Sequence, residues 1–204
     1  MQIEKSSLSK IGISRWFGSR PYLACLVVSG ILFAPLLMPI LSPANYVDTY
    51  GALSGLGNSG AGQQNGGPMP QYLGDRFGWD SMVSTVAQTY SNLPAQSKAE
   101  ACIFTANYGE ASAINFLGLS YGLPKAISGH NNYYIWGPGS CNGQVILTIG
   151  LSLSDDLKSY HNVTQVSIIA CTYCMNDENN LPLYLCTNPI APPTSIWPEV
   201  KHYN

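Results

Sequence analysis

Charge is what this 204-residue sequence has least of: Asp, Glu, Lys and Arg together make up 10% of it. None falls between Pro21 and Val47. The core of that gap, Tyr22 to Leu41, holds 20 consecutive residues without a charge. An α-helix needs about 20 predominantly apolar residues to cross the roughly 30 Å hydrocarbon layer. Lipid offers no partner for backbone amides, so a lone apolar span is helical. Pro35 and Pro39 kink the far end of such a helix without forbidding it. The stretch 21–42 therefore reads as a single transmembrane helix.

Its flanks give the orientation. Lys5, Lys10, Arg15 and Arg20 precede it against one acid, Glu4; after it, the next basic residue is Arg76. The positive-inside rule puts a tail, residues 1–20, in the cytoplasm and the carboxy-terminal part outside it. The expected location is the cytoplasmic (inner) membrane, single-pass, with the bilayer as first partner. A cleavable signal peptide with a Ser42-Pro-Ala44 cleavage site is the competing reading. Its apolar core is usually about 7–15 residues, shorter than this one, which favours an uncleaved anchor.

Beyond the span basic residues are scarce. Arg76, Lys98, Lys125, Lys158 and Lys201 face ten acids. That balance excludes a nucleic-acid partner, which needs a basic face, and gives no attraction to anionic lipid. Complete catalytic signatures are also missing. There is no Gly-x-Ser-x-Gly elbow, His-Glu-x-x-His pair, phosphate-binding Walker loop or Gly-x-Gly-x-x-Gly turn. His130, His161 and His202 are scattered, and Asp155-Asp156 fits a helix start better than a metal site. Neither a catalytic residue nor a metal nor a cofactor is expected. Asn162-Val-Thr164 matches a glycosylation acceptor, a weak signal.

Of the six cysteines, Cys25 lies in the span and five lie beyond it. Cys171-Thr-Tyr-Cys174 fits a loop disulfide or idle thiols. It also fits a redox pair, but such pairs open a helix, whereas Met175-Asn-Asp-Glu-Asn-Asn180 reads as a turn. Zinc would need a second spaced pair.

Residues 51–68 contain seven glycines and no charge, so 43–70 reads as a flexible linker before an exported domain, 71–204. In that domain Met82, Val83, Val86, Tyr90 and Leu93 recur at helical spacing, with Pro94 beyond. Ala101–Thr105 suits a buried strand, Gly109–Gly118 a glycine-closed helix, Gly143–Gly150 a strand, and Ser154–Tyr160 a serine-capped helix. Val163–Cys171 and Leu181–Cys186 suit further strands. The alternation predicts an α/β fold: a single N-terminal transmembrane helix followed by a three-layer domain with a mostly parallel sheet.

Two polar clusters stand out. Asn107, Tyr108, Gly109 and Glu110 follow a strand and open a helix, where open α/β sheets bind ligands; helix capping alone would also explain them. Ser128, His130, Asn131, Asn132, Tyr133, Tyr134 and Trp136 combine amides, an imidazole and aromatic faces suited to a polar ring, or make a rigid connection whose aromatics plug the core. If Pro124–Ile127 is a strand parallel to and beside Ala101–Thr105, both clusters emerge on one edge. Glu110 and His130 then serve as hydrogen-bonding groups, with Tyr133, Tyr134 or Trp136 as the stacking face.

Phe77-Gly-Trp-Asp80, Ile103 to Ile114, Tyr121-Gly-Leu-Pro124, Ser128 to Pro138 and Ile196 to Tyr203, in this order, resemble the exported carboxy-terminal domain, with its last transmembrane helix, of bacterial dolichyl-phosphate-mannose–protein mannosyltransferase-like membrane glycosyltransferases. The resemblance covers the span and everything after it. It implies hexosyl transfer from a lipid-phosphate sugar, with the family's catalytic acid in an early exported loop that has no counterpart here. The implied role is a split or truncated form that recognises acceptor or lipid-linked sugar beside a multi-span glycosyltransferase subunit. A free-standing extracytoplasmic binding or assembly module with no enzymatic activity is the alternative.

Overall fold

The structure, a computed structural model, describes residues 8–57 and 66–203. The chain divides into two compact units, Met1–Leu53 and Ser54–Asn204. In the first, helix α1 (Leu8–Leu37) runs through Pro21 and Pro35 and stops before Pro39. Its segment Arg20–Leu37 has mean hydropathy 1.7 and is long and apolar enough to span a bilayer. Ile31, Leu32 and Phe33 stand exposed around it, as a lipid-facing helix requires.

Helix α2 (Pro43–Gly57) occupies the start of the expected linker. Local signals outweigh its glycines: Pro43 pre-sets the first helical dihedral, the Ser42 hydroxyl accepts the Asn45 amide, and Tyr46 and Tyr50, one turn apart, meet at 5.7 Å. Of the expected linker, residues 58–65 lie outside the described residues.

The second unit begins with short helix α3 (Gln71–Gly74), α4 (Trp79–Ser91) and α5 (Ala95–Glu100). There follow β1 (Ala101–Thr105), α6 (Tyr108–Leu117), β2 (Ala126–Ser128), α7 (Asn132–Trp136), β3 (Val145–Ile149), α8 (Leu153–Ser159), β4 (Tyr160–Ile169), β5 (Leu181–Pro189) and α9 (Pro193–Ile196). Five strands form one sheet in the order β2-β1-β3-β5-β4. Its two faces carry different layers. Met82, Val83 and Val86 of α4 and Ala111 and Ile114 of α6 pack on Ile103, Leu147, Ile149, Ile169 and Leu183. Strand alternation sends Cys102, Ile146, Tyr184 and Cys186 to the opposite face. There α8 and the carboxy-terminal turns cover the sheet: Asp156 accepts from Thr148 at 2.7 Å, and Trp197 meets Phe104 edge-on.

The sheet is mixed rather than mostly parallel. β1 pairs in parallel with β2 and β3, but β5 is antiparallel to both β3 and β4, and these antiparallel ladders carry most of the pairing. The connection explains the correction. A parallel return needs a crossover of a dozen or more residues, usually helical. Between Ile169 and Leu181 there is only a turn with a 3-10 segment, Asn176–Glu178, so β5 folds back as a hairpin partner of β4. The α8 cap also differs: Ser152, not Ser154, accepts the Asp155 amide.

Candidate functional site

β1 and β2 are adjacent and parallel, with Thr105 opposite Ser128. The segments that follow them therefore leave the sheet on the same edge. After β1 the chain turns into α6 through a capping box. Asn107 Oδ1 accepts the Glu110 amide at 2.9 Å, and Glu110 Oε2 accepts the Asn107 amide at 3.1 Å. This reciprocal pairing satisfies two otherwise orphaned donors. Glu110 is 1% exposed. Burial pushes its carboxyl up to about 8; the bond from Asn107 opposes this, and the nearby Glu178 and Asp177 add to it.

After β2, buried Ser128 accepts the His130 amide at 3.2 Å. Gly129 is required here by close approach: a Cβ would stand 1.9 Å from the Val200 carbonyl oxygen. The carboxy-terminal strand-like segment crosses at this point, with Asn131 donating to the His202 carbonyl and His202 donating to that of Gly129. The His202 ring stacks on His130, and its nitrogens face the Ala106 and Val200 carbonyls at 2.8 and 2.9 Å. Tyr108 meets His130 edge-on with centroids 4.9 Å apart. Burial, then the neighbouring His202, holds His130 below its ordinary pKa and so favours the neutral ring.

A cleft of about 510 Å³ opens over this edge. Asn107, Tyr108, Gly109 and His130 form one side, and Trp79 at the start of α4 comes within reach because Gly109 has no side chain; a Cβ there would meet the Trp79 ring at 3.2 Å. Gln71 and Asp75 line it from α3 and the residue after. Met175, Asp177 and Glu178 line it from the turn between β4 and β5. Burial, then Asp75 and Asp177, push Glu178 up to about 7; burial chiefly raises Asp75. His130 Nδ1 and Glu178 Oε2 are buried without a hydrogen-bond partner. Among the described residues no group of three or more His, Cys, Asp or Glu could hold a metal ion.

Of the eleven candidate ligand-binding residues, Asn107, Tyr108, Gly109 and His130 line the cleft. Glu110 and Ser128 lie buried as supports. Asn131 pairs with the carboxy-terminal segment, and Asn132 opens α7. The aromatic residues do not supply its stacking face. Tyr133 is hydrogen-bonded to Asn115, Tyr134 stacks on Trp197, and Trp136 lines a separate groove beside Cys102 and Cys141. α7 turns all three side chains to other duties. Trp79 is the tryptophan that lines the cleft, its sequence signal hidden in an amphipathic helix. Asp75, Asp177 and Glu178 arrive from turns far apart in sequence, which no spacing rule connects.

The disulfide present joins Cys102 to Cys141. Cys171 and Cys174 are free thiols, and the Cys174 amide donates to Cys171 Sγ. Burial, then Cys171, push the Cys174 thiol up to about 12, opposite to the shift that makes a thiol reactive. No family model, curated protein or solved structure matches the chain.

Proposed function

We propose that residues 71–204 form the exported carbohydrate-recognition domain of a lipid-phosphate-sugar-dependent glycosyltransferase system, held at the inner membrane by α1. It binds acceptor or sugar, and a multi-span subunit carries out hexosyl transfer. One observation supports this most: four segments that carry the family resemblance, far apart in sequence, meet at one cleft. They contribute Trp79, the run Asn107–Gly109, His130 and, stacked behind it, His202. Aromatic rings beside amide, imidazole and carboxyl groups suit a sugar ring, with apolar CH faces on the rings and hydroxyls on the polar groups. The cleft volume lies in the range of small-molecule sites.

Calorimetry of the full chain in lipid nanodiscs, against lipid-phosphate sugars, free saccharides and acceptor peptides, tests the reading. Saturable binding of at least one carbohydrate, lost on Trp79→Ala in a folded protein, is expected. Binding of none would leave an assembly module without carbohydrate recognition.

A further inference from the structure

Side chains that line the cleft hold two buried polar atoms without partners, and its charges are of one sign. His130 is 7% exposed, yet its Nδ1 has no hydrogen-bond partner, and Glu178 Oε2 on the opposite turn has none either. Native structures rarely leave buried polar atoms orphaned, and these two belong to side chains that line one cleft, so a ligand there is the available partner. Asp75, Asp177 and Glu178 line the cleft, whereas among the described residues no lysine or arginine does. We infer that the cleft takes an uncharged, hydroxyl-bearing ring, with one hydroxyl on His130 Nδ1 and another on Glu178 Oε2, and rejects the phosphate ester of the same sugar. This deepens the carbohydrate reading and rests on it.

The chemistry favours a hydroxyl for a specific reason. A hydroxyl is donor and acceptor at once, so it pairs with the imidazole nitrogen in either tautomer and with the carboxyl in either protonation state. A phosphate brings only acceptors and negative charge to a site whose carboxyls already raise one another's pKa. A lipid-phosphate donor would then present its sugar here and leave its phosphate outside.

The test compares methyl hexosides, hexose 1-phosphates and glucosamine as titrants of the full chain in nanodiscs. Methyl hexoside should bind at least tenfold more tightly than hexose 1-phosphate at low salt. The gap should narrow in 0.5 M salt and on Asp177→Asn, a change at an exposed position. Glu178→Leu, which removes both carboxyl oxygens, should weaken methyl hexoside binding severalfold while leaving the circular dichroism spectrum unchanged; His130→Phe should do the same if it folds. Phosphate binding as tight as, or tighter than, methyl hexoside binding would overturn the inference and leave the carbohydrate reading standing. Tighter glucosamine binding, or unchanged hexoside affinity in folded Glu178→Leu, would do likewise. Binding of no saccharide would overturn both.

Discussion

His202 stacks on His130 with ring centroids 4.6 Å apart and planes 24° from parallel. The pair ties the last residues of the chain to the wall of the cleft. Behind the stack, Trp197 donates to the Tyr134 carbonyl at 2.9 Å and lies 4° from parallel with the Tyr134 ring. The carboxy-terminal segment is thus a structural part of the site.

Replacing His202 by Ala removes the stack and both ring contacts to backbone carbonyls. A neutral imidazole has one N–H and donates to one of the two carbonyls; that hydrogen bond contributes about 0.5–1.5 kcal/mol, so chemical denaturation should show a loss of about that size. His130 also loses a neighbour that lowers its pKa. Its pKa should rise toward the ordinary value of 6.5, as read from its ring proton shifts by NMR. An unmoved titration would separate the two rings.

Gly129→Ala tests the crossing directly. The added methyl would stand 1.9 Å from the Val200 carbonyl oxygen, an overlap that backbone must resolve. Overpacking of this kind costs about 1–3 kcal/mol. The expected signature is local: faster hydrogen exchange at Asn131 and His202, whose amides bond across the crossing, with protection at Leu147 unchanged. Equal loosening of both regions would mean that the segment is not a separable latch.

The raised carboxyls set the pH dependence. Glu110 moves from 4.5 to about 8 and Glu178 from 4.5 to about 7, so the folded state holds protons that the unfolded chain releases above pH 4.5. Stability is then greatest at or below about pH 4.5 as far as these groups are concerned. It falls as pH rises through the interval, and levels off above 8. One such group contributes a slope of up to about −1.4 kcal/mol per pH unit. Glu110→Gln removes one proton from the difference, so its stability profile between pH 5 and 8 should be shallower by up to that amount. Parallel profiles for wild type and variant would place the carboxyl's folded pKa near 4.5.

Much of this was legible in the residues. Met82, Val83 and Val86 repeat at helical spacing and are buried; Ala101–Thr105 is apolar and buried as β1; Asn107 and Glu110 have capping-box spacing and make it. Local patterns report local structure. The direction of β5 was readable too, in the short stretch after Ile169, but alternation of helix and strand argued for the opposite. The acidic wall of the cleft was not legible. Asp75 and Glu178 are 103 positions apart and meet only through the hairpin that the sheet order imposes. That Tyr133, Tyr134 and Trp136 do not line this cleft was not legible for a related reason: composition names an aromatic surface, but the rotation of the five-residue helix α7 decides where each ring points.

The Cys102–Cys141 bond gives the last prediction, because it joins stability to location. It closes a sequence separation of 39 residues and fastens the loop after α7 to β1, near the sheet edge where β2 is only three residues long. A cross-link over such a loop stabilises by about 2–4 kcal/mol, chiefly by restricting the unfolded chain. Cys141→Ser should lower the urea midpoint accordingly, and reductant should have the same effect on wild type but none on the variant. The bond also reports the compartment, since cytosolic thiols are kept reduced. In cells quenched with acid and then alkylated under denaturing, non-reducing conditions, Cys102 and Cys141 should escape modification while Cys186, a free thiol, is modified. Alkylation of all three would place the domain on the reducing side, overturning the export that the Lys5 to Arg20 flank implies. Protease shaving of spheroplasts would have to agree, leaving the domain protected.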